Sequence, residues 1–385
     1  MQASLLGRLC LSVFAVLMTY GVLEAVSLAT GVLEPQEKTE RRKYFIQFLR
    51  PDDRYGFRVR ESLRGLRISW LSDDVSMTVD TDAKGFRNVG YDYDKARAFI
   101  IGDSFTFGSW VARDQTFFGQ LGKSLGEPVM SLGIGGYGMV EYGLLAEDYV
   151  PKRPALVMVG IFANDLTLIP ESFSAKHRAK PSGYYYGPVG VWERYIVPST
   201  LWEVSLTNQL STAVTKLFTA KGRAQAAAVS QSQRPASDGT ILFRKRGSEA
   251  TYLSGGHAPA IEQRLRAILA LIKSWGGVPL VVFFPSKESA YISEYARLFP
   301  DTLSYLNVER DGYKRMADLA AGMGVATLDL TPAFRAAVGK RPKLYFRQDN
   351  HWSPEGHKLA AEVMAPVVKR MLTGLPARVG PALAK

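Results

Sequence analysis

Cysteine and histidine are scarce in this chain of 385 residues. A single cysteine, Cys10, excludes an intrachain disulfide framework and a cysteine-based zinc finger. The four histidines are His177, His257, His351 and His357. Few side chains are therefore available for imidazole chemistry.

Acidic side chains are too few to balance the basic ones, 36 against 48, which leaves a net charge of +12. This excess favours an anionic neighbour such as lipid headgroups, an acidic polysaccharide or nucleic acid, although a solvated basic face explains it as well. The chain has no zinc-finger spacing and no RNA-binding signature, so we expect no nucleic-acid partner. A hydrophobic fraction of 46% excludes a wholly disordered chain.

The first 33 residues differ in kind from the rest. Leu9 to Leu33 is almost uninterrupted apolar sequence whose only charge is Glu24, and about 20 apolar residues span a bilayer. We therefore predict a membrane anchor or signal segment over residues 1–33. Cleavage after Ser27-Leu28-Ala29, or a buried core helix, are the alternatives. The basic residues of Lys38–Lys43 follow the segment, and by charge counting they favour a cytoplasmic carboxyl-terminal part.

Short apolar runs separated by turn signals dominate the rest of the chain. Residues 34–95 are polar, arginine-rich and aromatic, and predict a small β-rich lead-in. Five continuous apolar runs after it are typical of strands buried on both faces of a parallel sheet. They are Ala98–Ile101, Pro128–Leu132, Ala155–Ile161, Val278–Phe284 and Val325–Asp329.

Helical patterns lie between these runs. Apolar residues recur at helical spacing from Ile261 to Trp275, and Gly276-Gly277 ends that pattern. The alternation predicts an α/β domain with a doubly wound, five-stranded parallel sheet over residues 96–372. An insertion is predicted at about 166–256, and a tail at 373–385.

Chemistry-bearing residues follow these runs, at the sheet edge where ligands bind in open α/β folds. Together they supply the serine, histidine, carboxylate and hydrogen-bond donors that acyl transfer needs. The segments are Gly102-Asp103-Ser104, Gly133–Gly138, Ala163-Asn164-Asp165 and Asp349–His357.

This ordered set of blocks resembles the SGNH (GDSL) hydrolases over roughly residues 80–370, outside the insertion. Gly85-Phe86-Arg87 and Pro285-Ser286-Lys287 are similar to segments of the larger, membrane-anchored bacterial members. The resemblance implies a flavodoxin-like SGNH hydrolase fold. It further implies that Ser104 is the nucleophile and His351 the base, and that Gly136 and Asn164 join the Ser104 backbone amide in the oxyanion hole.

The carboxylate departs from the usual family pattern. Most members space the last pair Asp-x-x-His, but that slot holds Gln348 here, and we assign the role to Asp349, two residues before His351. This Asp-x-His-Trp spacing resembles the alginate-type exopolysaccharide O-acetyltransferases, although the pair precedes the serine block in those chains. Ser131 is a second departure, since many members have asparagine there.

Plainer roles stand beside these assignments. Ser104 also fits a helix cap, His351 a structural histidine and Asn164 a turn residue. His357, one turn into a helix, is read as structural. The Gly133-x-Gly135-x-x-Gly138 spacing lacks the acidic residue of a dinucleotide site, and no metal cluster is visible, so we expect neither cofactor nor metal.

The resemblance implies a serine esterase or acyltransferase acting on O-acyl, and mainly O-acetyl, groups of envelope carbohydrate. A polysaccharide O-acetyltransferase with the same triad and a non-catalytic carbohydrate-binding protein are the alternatives. The expected partners are the acylated carbohydrate or acyl donor, the membrane through the N-terminal helix, and a membrane protein of polysaccharide synthesis or acyl supply. We expect a single-pass protein with a periplasmic catalytic domain, or a secreted one if the N-terminal segment is cleaved.

Overall fold

The structure is a computed structural model. It describes residues 5–30, 47–70, 75–153, 155–166, 206–207, 210–211, 213, 233–245 and 258–375. The chain divides into two compact units. One comprises Met1–Phe45 and Pro188–Ser232, and the other comprises Ile46–Gly187 and Gln233–Lys385.

Helix α1, Leu5–Thr30, contains most of the apolar N-terminal segment. Its window Leu11–Leu28 is long and apolar enough to cross a membrane, by length and composition only. A signal sequence near an N-terminus passes the same test. Its large apolar side chains are mostly exposed; Leu11, Phe14 and Val16 are examples.

Two β-hairpins form the described part of the lead-in. Strand β1, Leu49–Asp52, pairs with β2, Gly56–Val59, and β3, Leu66–Trp70, pairs with β4, Val75–Val79. Side chains along β4 alternate between buried and exposed, as the period of a half-buried strand requires. Both hairpins fall within residues 34–95, and the β-rich lead-in over that range stays a prediction.

A five-stranded parallel sheet forms the centre of the second unit. Its strands are β5 (Ala98–Gly102), β6 (Val129–Gly133), β7 (Leu156–Ile161), β10 (Val278–Phe283) and β11 (Ala326–Asp329). A separate hairpin of β8 (Gln233–Pro235) and β9 (Leu242–Arg244) lies within the predicted insertion. The sheet order β11-β10-β7-β5-β6 is the flavodoxin-like order 2-1-3-4-5. The predicted fold class is confirmed.

The five strands differ in burial. Every residue of β5, β6 and β7 is buried, as the continuous apolar runs predicted. Strand β11 is different, because three of its four residues are exposed, whereas β6 at the opposite edge of the sheet is fully buried. The expectation of burial on both faces was therefore wrong for the run Val325–Asp329.

Helices connect the strands and pack in two groups. Their bounds are α2 Ser104–Phe107, α3 Phe117–Leu125, α4 Met139–Tyr149, α5 Ala258–Ser274, α6 Lys287–Ala290, α7 Ile292–Leu298, α8 Leu303–Gly322, α9 Thr331–Ala337 and α10 Pro354–Thr373. Helix α10 packs against α3 and α9, whereas α5 packs against α4 and α8. Helix α5 buries the predicted apolar stripe, including Leu265, Ile268 and Ile272. Helices thus lie on both faces of the sheet. The carboxyl ends of its parallel strands all lie at the same end of the sheet.

Two sequence predictions lie largely outside the described residues. One is the insertion at 166–256, and the histidines His177 and His257 lie outside the described residues as well. The tail at 373–385 is described only to residue 375.

Candidate active site

Ser104 lies at the first turn after strand β5, between β7 and β6 in the sheet. Asp103 caps the short helix α2 by accepting the Phe105 backbone N–H at 2.9 Å. Gly108 ends the helix in the left-handed region, with φ of 73°. The tight turn places the Ser104 hydroxyl beyond the carboxyl ends of the parallel strands.

Ser104, His351 and Asp349 form one hydrogen-bonded chain. His351 Nε2 lies 2.7 Å from Ser104 Oγ, and His351 Nδ1 lies 2.6 Å from Asp349 Oδ1. A carboxylate can only accept, so Nδ1 carries the ring proton and Nε2 accepts from the serine hydroxyl. The structure therefore brings together the predicted residues Ser104, Asp349 and His351, although Ser104 and His351 are 247 residues apart in the chain.

Burial and charge act in opposite directions on this chain. Burial lowers the pKa of His351, but the Asp349 carboxylate and its hydrogen bond outweigh it, so the pKa is raised above 6.5. Burial raises the pKa of Asp349, but the His351 ring and two hydrogen bonds from His351 outweigh it, so the pKa is lowered. Asp349 thus stays ionised and favours the imidazolium form of His351.

Trp352, the residue after His351, packs in the hydrophobic core. Its side chain is fully buried, and its ring centroid lies 5.1 Å from that of Phe105 and 5.0 Å from those of Phe284 and Phe334. Phe105 also contacts the His351 ring at 5.0 Å between centroids. The tryptophan of the Asp-x-His-Trp motif is therefore the core anchor of the loop that carries His351.

Two buried carboxylates lie behind the serine. Asp103 Oδ2 accepts the Asn164 side-chain amide at 3.1 Å, and Asp165 Oδ2 accepts the Phe162 backbone N–H at 2.9 Å. Burial raises the pKa of Asp103, and burial together with the nearby Asp103 charge raises that of Asp165 well above its usual value. The Asn164 side chain therefore binds Asp103, the residue directly before Ser104. The role of Asn164 in an oxyanion hole stays a prediction.

The glycine loop after β6 packs closely on the serine turn. A Cβ atom at Gly133 would overlap the backbone of Thr106 and Phe107, so only glycine fits there. A Cβ at Gly135 would lie 3.5 Å from Ser104 Cβ. Gly136 has φ of +84°, a left-handed conformation that favours glycine. The loop thus approaches Ser104, while the assignment of Gly136 to the oxyanion hole stays a prediction.

Arg87 and Asn88 stabilise the backbone next to the serine turn, and this role was not predicted from the sequence. Arg87 is buried and donates to the carbonyls of Gly108 at 2.7 Å and Val111 at 2.8 Å, just beyond α2. The Asn88 amide brackets Ser131, donating to its carbonyl at 2.8 Å and accepting its N–H at 3.0 Å. Their place directly after Gly85-Phe86 was the only available signal.

His357 lies apart from the hydrogen-bonded chain. It is 1% exposed, and its Nδ1 accepts the Phe117 backbone N–H at 3.2 Å. Burial lowers its pKa to about 3, so the ring is neutral at physiological pH. These contacts agree with the structural role read from its position one turn into α10.

One family model matches the carboxyl-terminal part of the chain. Residues 242–379 match the family model described as an SGNH hydrolase-like domain, acetyltransferase AlgX. The alginate biosynthesis protein AlgX of Pseudomonas putida is 29% identical over 145 residues, which cover 36% of this chain and 29% of that protein. The match thus spans under a third of the length of that curated relative.

Solved structures of low identity also align. One is a putative lipolytic protein of the G-D-S-L family from Desulfitobacterium hafniense, with 13% identity and a TM-score of 0.39 over 70% of this chain and 98% of that one. Another is a mutant of the acetyl-xylooligosaccharide esterase Axe2 from Geobacillus, with 13% identity and a TM-score of 0.38 over 71% and 94%. Scores of this size carry no inference about activity.

The sheet order agrees with the fold that the resemblance implies, and the carboxyl-terminal match is to an SGNH hydrolase-like acetyltransferase domain. Residues 242–379 are similar to the AlgX domain, and this match confirms the resemblance to alginate-type acetyltransferases. The matched range includes Asp349 and His351 but not Ser104.

Proposed function

We propose that this protein is a serine acyl enzyme that removes or transfers O-acetyl groups of envelope carbohydrate. The observation that carries the proposal is the hydrogen-bonded chain Ser104–His351–Asp349, with both contacts of the imidazole at 2.7 Å or less. A serine hydroxyl is a weak nucleophile until a positioned base removes its proton, and this geometry supplies the base.

The proposed reaction has two halves. His351 Nε2 takes the hydroxyl proton while Ser104 Oγ attacks the acyl carbonyl carbon, and the imidazolium then protonates the departing alcohol oxygen. The backbone amide of Ser104, Gly136 and Asn164 are the proposed donors to the negative oxygen of the intermediate. In the second half, water or a sugar hydroxyl loses its proton to His351 and attacks the acyl-enzyme, which regenerates Ser104.

Transfer to a sugar hydroxyl is the candidate that the family match favours. The matched domain is described as an acetyltransferase, and the curated relative is an alginate biosynthesis protein. Transfer and hydrolysis share the acyl-enzyme and differ only in the second nucleophile. A non-catalytic carbohydrate-binding protein is the remaining alternative, and the assembled hydrogen-bonded chain argues against it.

A chromogenic acetyl-ester assay on the full chain in detergent tests the proposal. We expect nitrophenol release from nitrophenyl acetate, lost in Ser104→Ala and retained in Ser109→Ala, which removes a neighbouring hydroxyl. Added oligosaccharide acceptors should raise the release rate and gain acetyl groups if the enzyme transfers. Release without acceptor acetylation identifies an esterase. Equal release from Ser104→Ala and wild type would contradict the proposal.

We further propose that α1 anchors the protein and that the catalytic unit lies outside the cytoplasm. The length and apolar composition of α1 support this, as does the similarity to an alginate biosynthesis protein, while the basic residues of Lys38–Lys43 oppose it by charge counting. These basic residues can lie against anionic headgroups, and long domains translocate largely regardless of charge. Protease added to spheroplasts should digest the catalytic unit while cytosolic markers survive. Full protection until lysis would place the unit inside.

The acyl donor is proposed to come from a separate membrane protein of acyl supply or polysaccharide synthesis. Among the described residues, α1 is the single helix that meets the membrane-span criteria. Cross-linking in membranes followed by mass spectrometry should recover such a partner. Recovery of acetylated product from a soluble donor at the full cellular rate would make the partner unnecessary.

A further inference from the structure

Lys287 is a buried lysine whose ammonium reaches the loop that carries the histidine. It is the first residue of α6, shortly after β10, and is 0% exposed. Its Nζ donates to the backbone carbonyl of Arg347 at 3.3 Å. Arg347 lies two residues before Asp349, so Lys287 links the loop after the fourth sheet strand to the loop of Asp349 and His351.

The backbone around Lys287 is fixed from several sides. Pro285, Ser286 and Ser289, which flank Lys287 in the chain, make four hydrogen bonds, and none of these four bonds involves the Lys287 side chain. The bonds are Ser289 N–H to Ser286 Oγ at 3.0 Å, Ser286 N–H to Glu309 Oε1 at 3.1 Å, Tyr345 hydroxyl to the Pro285 carbonyl at 2.7 Å and Arg335 Nε to the Ser289 carbonyl at 2.8 Å. These hydrogen bonds fix the backbone at Lys287, while its flexible side chain is buried.

A buried lysine is uncommon, because its charge loses hydration on folding. The charge of Lys287 lowers the pKa of Asp349 and also that of His351. The other charged groups that act on the His351 ring are Asp349 on its own loop and Asp103 at the end of β5, and both raise its pKa. Lys287 is therefore the cation that opposes two carboxylates at this ring.

We propose that Lys287 is a positioning residue for the Asp349–His351 pair. Its ammonium holds the loop of both residues through Arg347 and counters the pull of two carboxylates on the proton of the His351 ring. A base must be neutral to accept the serine proton, and a ring flanked by Asp349 and Asp103 alone would stay protonated to higher pH. The inference rests on the proposed function, in which His351 is the base.

Three variants at this position separate charge from anchoring. Lys287→Met removes both the charge and the hydrogen bond, Lys287→Gln keeps a donor without charge, and Lys287→Arg keeps the charge. The matched control is Lys343→Met, which removes an exposed charge from the same chain segment as Arg347. The measurement is the pH profile of kcat/KM for nitrophenyl acetate, with circular dichroism as the check on folding.

Loss of the charge should displace the acid limb to higher pH. In Lys287→Met and Lys287→Gln we expect a displacement of roughly one pH unit, which is about a tenfold loss of kcat/KM below the limb. Lys287→Arg and Lys343→Met should keep the wild-type limb. If Lys287→Met does not fold, the contrast between Lys287→Gln and Lys287→Arg decides the outcome.

An unmoved limb in the folded uncharged variants would overturn the role of Lys287. So would an equal displacement in Lys287→Arg and Lys287→Gln. A different result would be a Ser104→Ala variant, with Lys287 intact, that turns over the ester as fast as wild type. That result would overturn the proposed function itself.

Discussion

A single oxygen of Asp349 accepts two hydrogen bonds from His351. Oδ1 receives the ring Nδ1–H at 2.6 Å and the backbone N–H of His351 at 2.7 Å. The second bond forms because the two residues are only two positions apart, so the carboxylate also closes a local turn. The Asp-x-His spacing thus sets the side chain and the backbone of the histidine at once.

Replacement of that carboxylate should be severe. Asp349→Asn cannot stabilise an imidazolium, and its amide can hold the ring in the wrong tautomer, so we expect a loss on the order of 10⁴-fold in kcat. Steady-state kinetics on the acetyl ester measure it. Gln348→Asn, a neutral change next door, is the control. A near wild-type rate for Asp349→Asn would mean that Ser104 and His351 work as a dyad.

The raised pKa of His351 predicts the pH dependence of the reaction. Because the ring must be neutral to accept the serine proton, kcat/KM should fall as the pH drops through the pKa of His351. Its pKa is raised above 6.5, so the midpoint of the acid limb should lie above 6.5. A pH–rate profile with a midpoint below that value would contradict the assigned environment of His351.

His357 should act on stability and little on turnover. Its folded pKa of about 3 lies below the usual 6.5, so its stabilising contact is fully present above pH 6.5 and weakens as the pH falls. The stability difference between wild type and His357→Asn should therefore shrink by roughly 1.4 kcal/mol per pH unit below 6.5. Urea unfolding at several pH values measures this difference. A large loss of turnover in a folded His357→Asn would instead make this residue the base.

Trp352 should be a stability determinant of the active site. Replacing a fully buried tryptophan with alanine leaves a cavity among Phe105, Phe284 and Phe334, which costs about 3–5 kcal/mol. Trp352→Phe should lose less, because it keeps an aromatic ring in the cluster. Thermal and denaturant unfolding of both variants check the order, and equal stability of Trp352→Ala and wild type would contradict the anchoring role.

The sheet could be predicted from the sequence because its signals are local. Each apolar run encodes its own strand, and the rule that parallel strands end at one edge brings Ser104 and His351 to the same place. The exposure of β11 was missed, since an apolar run such as Val325–Asp329 does not reveal how much of a strand other elements cover.

The supports of the site could not be predicted for the opposite reason. Asn88 pairs with Ser131 across 43 positions, and Lys287 reaches Arg347 across 60. Such contacts depend on the assembled fold, and a single asparagine or lysine carries no periodicity. Asp103 and Asn164 were noticed as neighbours of strands, but their mutual hydrogen bond is a tertiary fact as well.

Mass spectrometry of an acyl-enzyme tests the central claim most directly. Full-length protein is mixed with an activated acetyl ester, quenched in acid within the first turnover, digested and sequenced. We predict one acetyl group on Ser104, absent from Ser104→Ala, strongly reduced in His351→Ala because the serine loses its base, and unchanged in Ser109→Ala. Turnover of the ester with no acetyl group on Ser104, or with the acetyl group on another residue, would contradict the account.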